Sequence, residues 1–297
     1  MNLLYMTLKK VIKTIYFSGF QNLTTLFILI IWLKYNGTTD WLNSILVGSL
    51  SIIMMLLEWK FPNKNTWKLT KNEFKKDMFY QIGVYFLYGP LMLNVAGQFF
   101  IGCLGKNLQF YQLALWPTHW PLVFKISLAL IIIEFFNYWF HRAEHFFSWL
   151  WPLHSVHHSP NKMGWSKMAV NHPIEYFILV AIGVLPAALF GAETRELEGA
   201  VLIYLTTTMF AHCNLKLNDH FLFHLFTNNT YHYRHHSPIL KESLSNYGCA
   251  LVIWDKIFGT YKGIEFCDKV GIEPGRDYNL MEELMLPFKT MKIGIGP

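Results

Sequence analysis

Residues 122–158 read LVFKISLALIIIEFFNYWFHRAEHFFSWLWPLHSVHH, and the organisation of the whole chain turns on them. The apolar run from Leu122 to Phe140 is close to the roughly 20 residues that cross a bilayer, and histidines begin where it ends. His141 and His145 form H-x-x-x-H, His154, His157 and His158 form H-x-x-H-H, and the second spacing returns at His232, His235 and His236. Side chains three and four apart share one face of a helix, so each box is expected to aim its imidazoles at a single point. Neutral imidazole is the commonest protein ligand for a metal and suits zinc, copper and iron. Eight imidazoles exceed what one four-coordinate ion uses, so the spacing predicts two metal ions. Solvated helix ends or a zinc-buffering tract are the plainer alternative, but such tracts are compositionally uniform. Here tryptophans and apolar residues separate boxes that repeat.

Working outward, the 297 residues are 53% hydrophobic and only 15% charged, against about 25% charged in soluble proteins. Mean hydropathy is +0.26. The missing charge predicts a lipid-facing surface, with spans at Phe17 to Trp32, Trp41 to Leu57, Phe79 to Leu104 and Leu122 to Phe140. Ile174 to Phe190 and Leu197 to Phe210, joined by Glu193-Thr194-Arg195-Glu196, read as a helical hairpin that crosses or partly enters the bilayer. The net charge of +6 speaks for membrane orientation and against nucleic acid, because the lysines gather between apolar runs instead of forming a basic reading face. Six of them lie between Glu58 and Lys76, which places that loop in the cytoplasm by the positive-inside rule. Every histidine box then falls on the cytoplasmic face, and the loops near Asn36 and Lys106 fall outside. Lys9, Lys10 and Lys13 precede an apolar run, as in a signal peptide, but Lys34-Tyr35-Asn36 offers no small-residue cleavage site, so the segment is expected to be an integral span. Cys103, Cys213, Cys249 and Cys267 show no paired spacing and predict neither a disulfide framework nor a thiolate zinc site. The expected fold is all-α: a polytopic membrane bundle of about four spans plus the hairpin, with a cytoplasmic histidine-rich metal-binding cap. Its divisions are an N-terminal transmembrane region at 1–121, a catalytic region at 122–262 and a cytoplasmic tail at 263–297.

Beyond the boxes, His212 ends the second hairpin stretch in Ala211-His212-Cys213-Asn214 and would return to the same surface as a ninth ligand. His172, in Asn171-His172-Pro173, is a further ligand candidate, while His119, His220 and His224 have no box partner. Glu134 is an ionisable side chain in an apolar run, which marks it for function. Two turns before His141, it either accepts that ring's second N–H or pairs with Arg142 or Lys125. Asn137, Tyr138 and Asn214 are candidate supports of the same kind.

With its surroundings the pattern resembles the membrane fatty acid hydroxylase and sterol desaturase superfamily, whose signature is three boxes in this order. Tyr138-Trp139-Phe140-His141-Arg142 looks like the entry to the first box, and Asn246-Tyr247-Gly248 with Trp254-Asp255-Lys256-Ile257-Phe258-Gly259-Thr260-Tyr261 like the close after the third. The likeness runs from about Glu134 to Tyr261. Two departures stand out: an aspartate is frequent where Glu134 stands, and Val170-Asn171 replaces the arginine that many sterol-type members carry before their His-Pro pair. The resemblance implies two iron ions, O2 as co-substrate, a membrane lipid as substrate, and electrons from a separate donor, either a b-type cytochrome or a ferredoxin with its reductase. No stretch is long enough for a fused cytochrome domain, so the donor is expected to be external.

Oxidising an unactivated C–H bond needs a redox-active metal, which zinc is not. Iron is therefore expected, with zinc as a substitute acquired in purification. Hydroxylation of a lipid alkyl chain is the first reading and desaturation on the same centre the second. A histidine-based zinc transporter or metal-binding membrane protein is the rival from another class. Transport needs ionisable residues near the middle of several spans, and Trp41 to Leu57 holds none.

Overall fold

The computed structural model describes residues 19–35, 41–87, 116–217, 225–263, 267 and 269–288. Among them the chain is helical and contains no strand, only an isolated bridge between Phe226 and Leu251. The longer helices are α1 (Phe20–Tyr35), α2 (Leu42–Lys60), α3 (Lys71–Ile82), α4 (Leu122–Phe146), α5 (Trp151–His154), α6 (Pro173–Leu189), α7 (Thr194–His212) and α8 (Asn229–His235). By length and composition α2 and α4 can cross a membrane, whereas α1 and α6 are apolar but shorter. The expected span from Phe79 begins inside α3, which a Thr70 and Glu73 capping box starts at Lys71; most of that span, with Cys103, lies outside the described residues. The hairpin is present as α6 and α7.

α7 is the axis of the fold. It packs on α1, α2, α4, α8 and the 3-10 helix Trp165–Ala169, and every residue from Thr206 to His212 is buried. Two glycines set how closely the helices approach. A Cβ at Gly199 of α7 would stand 2.8 Å from Ile126 Cδ1 of α4, and one at Gly183 of α6 would stand 2.8 Å from the Asn137 amide of α4. Small residues at such crossings let backbones come together.

Polar pins then fix the loops that carry histidines. At the end of α2, buried Glu58 accepts from the amides of Trp165 and Asn214, both at 2.8 Å. Asp77 of α3 receives Lys167 Nζ at 2.7 Å and Ser166 Oγ at 2.5 Å. The region after 263 is bound to the rest of the fold: buried Glu283 accepts from Lys76, Tyr80 and Ser159, and the amides of Gly271 and Ile272 donate to the carbonyls of His236 and His158.

Candidate metal centre

α4 runs past the apolar stretch to Phe146, so His141 and His145 sit one turn apart at its end. α5 and the turn after it carry the second box, with His158 N bonded to His154 O. α8 carries the third box. Its first turn is capped by Asn228, and Asn229 Nδ2 ties it to the carbonyls of Cys213 and Leu215 just beyond α7.

Nine histidines come together in two sets. His141, His145, His154, His158 and His235 form one and His157, His212, His232 and His236 the other, and within each set the ligand atoms lie within 4.8 Å of one another. None of the nine side chains is more than 7% exposed. The expectation that each box serves one point is corrected for the two H-x-x-H-H boxes, which divide in opposite senses. The second box sends its i and i+4 histidines, His154 and His158, to the first set and His157 to the second, while the third sends His232 and His236 to the second set and His235 to the first. The reason is angular: i+3 and i+4 lie on opposite sides of i, about 100° apart around a helical turn, so one box can serve two adjoining points. The sets meet where His158 stacks on His236, with ring centroids 4.4 Å apart.

Ring protons decide what this arrangement can hold. His141 Nδ1 donates to Tyr247 O at 2.7 Å, His157 to Val170 O at 3.1 Å, His212 to Thr208 O at 2.8 Å and His235 to Ser245 O at 2.9 Å, while His154 Nδ1 shares a proton with Glu175 Oε1 at 2.6 Å. A neutral imidazole that donates at Nδ1 bears a bare lone pair at Nε2. The Nε2 atoms of His157 and His212 therefore face each other at 3.2 Å as lone pair against lone pair, and His232 Nε2 lies 3.0 Å from His212 Nε2. In the first set His158 Nε2 is 3.2 Å from His145 Nε2 and 3.1 Å from His235 Nε2, and the Nε2 atoms of His141 and His154 have no partner. The rings are uncharged at neutral pH: burial pushes the His157 ring down to about 4 and holds His158, His232, His235 and His236 well below their ordinary range, with neighbouring imidazoles adding to the effect on the last four. Convergent neutral imidazoles, five of them oriented by a bond at Nδ1, are the donor set that a divalent transition metal requires.

The remaining sequence candidates fall elsewhere. His172 is in neither set; its Nδ1 accepts from Ile174 N at 3.2 Å and caps α6. Glu134 pairs with neither His141, Arg142 nor Lys125: its Oε1 takes the amides of Ala250 at 2.8 Å and Leu251 at 3.1 Å, and Lys125 pairs with Glu196. Tyr138 meets Thr260 Oγ1 at 2.9 Å and stacks on Phe258, on the outer side of the closing motif. Asn214 exchanges hydrogen bonds with the Lys64 backbone and so fixes the loop after α2. His119 is exposed, and His220 and His224 lie outside the described residues.

Sequence reasoning missed Glu144, Glu175 and Asp255. Glu144 and Glu175 are fully buried beside His154, and both Glu144 oxygens lack a hydrogen-bond partner. Glu175 carried the signal used for Glu134, an ionisable group in an apolar run. Asp255 takes the amides of Tyr247 and Gly248 at 2.8 and 2.7 Å, which presents the Tyr247 carbonyl to His141 and explains the spacing of the closing motif. Above the histidines a cavity opens between α4, α6 and α7. Its walls are Ile133, Leu179, Val180, Val184, Val201 and Leu205, and five of the nine histidines reach it.

The fatty acid hydroxylase family profile matches residues 126–260. An ornithine lipid hydroxylase of Rhizobium tropici is 30% identical over 227 residues, covering 74% of this chain and 67% of that protein. The chain belongs to the fatty acid hydroxylase and sterol desaturase superfamily. Within that superfamily, methylsterol monooxygenase 2-2 of Arabidopsis thaliana is 32% identical over 143 residues, covering 47% of this chain and 53% of that one. A very-long-chain aldehyde decarbonylase of Oryza sativa subsp. indica is 29% identical over 161 residues, half of this chain but only 25% of its own length. No solved structure matches the chain. Superfamily membership makes it an oxidoreductase.

Proposed function

We propose that the chain is an integral membrane hydroxylase that holds two iron ions in its nine histidines and inserts oxygen from O2 into a lipid alkyl chain. The observation that carries this reading is the convergence of nine buried histidines in two adjoining sets beneath a largely apolar cavity, with the Nε2 lone pairs of His157 and His212 face to face. Two irons bound there would supply the reduction of O2 and the removal of hydrogen from carbon, which zinc cannot do. His141, His145, His154, His158 and His235 would hold one ion and His157, His212, His232 and His236 the other. The chain does the positioning: Tyr247 O, Ser245 O, Val170 O, Thr208 O and Glu175 each fix a ring nitrogen, and the aliphatic cavity walls exclude water and align one carbon over the histidines.

The alkyl chain enters laterally between α4 and the hairpin, where the cavity lies. In this reading α2 and α4 span the bilayer, with α1 and the hairpin completing the membrane region, and the lysine-rich loop after α2 supports a cytoplasmic position for the histidines. The donor is a separate redox protein. A histidine path for zinc transport fits less well, because all nine rings close on one buried centre whose opening is aliphatic. Comparative lipid mass spectrometry under 18O2, on cells with and without the protein, tests the reading. The expected result is one labelled oxygen in a lipid alkyl chain; loss of two hydrogens without oxygen would replace hydroxylation by desaturation, and an unchanged lipid profile would overturn both.

A further inference from the structure

Hydroxylation consumes electrons as well as oxygen: R–H + O2 + 2 e− + 2 H+ gives R–OH + H2O, so two electrons must reach a centre whose nine rings are all buried. A surface groove lies close to the third box. The groove is lined by Thr66, Trp67, Asn161, Lys162, Lys269 and Val270, together with Pro274, Gly275 and Asp277. Trp67 is 5% exposed and belongs to a small buried cluster with Met163, Tyr233, Cys267 and Val270. Its ring meets Tyr233 edge-on at 5.0 Å between centroids. Tyr233 lies between His232 and His235 on α8, so the path from it to either set is a short run of covalent bonds. A second contact leaves the same groove: Val270 is followed by Gly271 and Ile272, whose amides donate to the carbonyls of His236 and His158, the two stacked rings that join the sets.

Cations surround this aromatic entry. Lys64 Nζ lies 4.0 Å from the Trp67 ring centroid while bonded to Cys267 O, Lys162 pairs with Glu73 at the groove wall, and Lys269 is exposed at its lip.

We infer that this groove is the docking site of an acidic one-electron carrier protein, and that the rings of Trp67 and Tyr233 conduct its electrons to the two histidine sets. The inference rests on the di-iron reading. Each docking event oxidises one carrier by one electron and reduces one ferric ion to ferrous; two events serve one turnover, and the rings remain closed-shell as a tunnelling medium. Charge complementarity steers the encounter and makes it salt-dependent.

The test uses the full chain in detergent with an acidic plant-type ferredoxin as probe. Zero-length carbodiimide coupling of ferredoxin carboxylates to the metal-free chain, read by peptide mass spectrometry, is expected to give adducts at Lys269 or Lys162. Adducts only at remote lysines such as Lys241 or Lys256, or none, would overturn the docking site. Lys269→Glu, an exposed change that leaves folding intact, is expected to weaken ferredoxin binding roughly tenfold at low salt and to flatten its salt dependence; unchanged affinity would contradict the proposal. For the route, the absorbance of reduced ferredoxin mixed with the ferric chain reports electron loss directly. Trp67→Leu is expected to slow this step more than Trp67→Phe, and equal rates in both variants and the parent would exclude Trp67. Dithionite, which needs no docking surface, separates the two readings. Lipid product with dithionite and no ferredoxin coupling would remove only the groove proposal, whereas no product with any reductant would remove the hydroxylase reading.

Discussion

At the scale of single residues, the structure sorts histidines that the sequence lists alike. His212 faces His157 and His232 nitrogen to nitrogen, whereas His172 spends its ring on a helix amide. His212→Ala is therefore expected to lose one of two bound irons and nearly all activity. His172→Ala should keep both irons and cost roughly 0.5–1 kcal/mol, as a lost cap does; metal analysis and thermal melting of the two variants check this pair. Glu134→Ala should act through the closing motif: it strips two amides at Ala250 and Leu251 of their buried acceptor, for about 2–3 kcal/mol of destabilisation. Glu134→Gln, which keeps an oxygen acceptor there, should recover most of the melting temperature. The boxes were legible because their spacing is local and helical. The partners of Glu134, Tyr138 and Asn214 were not, because each lies more than a hundred positions away along the chain, and an apolar context shows that a carboxylate is placed with purpose without showing which amides it holds.

Among elements, the sequence located the hairpin helices within a few residues, since apolar runs between charged turns are read directly. It did not show that α7 is central, because the Thr206–Thr208 run looks polar while all three residues are buried. Thr207 and Thr208 return their hydroxyls to carbonyls one turn back, which satisfies those two groups within the helix. The close crossing of α6 on α4 depends on Gly183. Gly183→Ala drives a methyl into the Asn137 amide on the cavity wall, and overpacking of this kind costs about 1–3 kcal/mol. Iron content should stay at two per chain while the longest alkyl substrates are lost first. The chain-length profile of the products measures this, and an unaltered profile would place the substrate elsewhere. The opposite division of the two H-x-x-H-H boxes was likewise hidden from spacing alone, because the placement of α5 and α8 is set by tertiary pins such as Asn229 on the carbonyls of Cys213 and Leu215 and the amides of Gly271 and Ile272 on those of His236 and His158.

For the molecule as a whole, gathering nine neutral imidazoles makes the metal-free chain sensitive to acid. His157 titrates near 4 when folded and near 6.5 when unfolded. The unfolded chain therefore binds more protons between those values, so stability is full above about pH 6.5 and declines as pH falls toward 4. The metal-free protein should show a melting temperature that drops steeply from pH 7 to pH 5. The loaded protein should resist until the metal is released, because bound metal keeps the rings deprotonated; parallel melting curves would contradict this. Both behaviours descend from one claim, that three separated boxes and His212 converge on a paired site. X-ray absorption at the iron K-edge, on the full chain loaded with ferrous iron without oxygen, addresses that claim most directly. The account predicts a nitrogen-dominated shell with imidazole outer-shell scattering from four to five rings per iron, and a shell dominated by carboxylate or sulfur, with one imidazole or none, would contradict it.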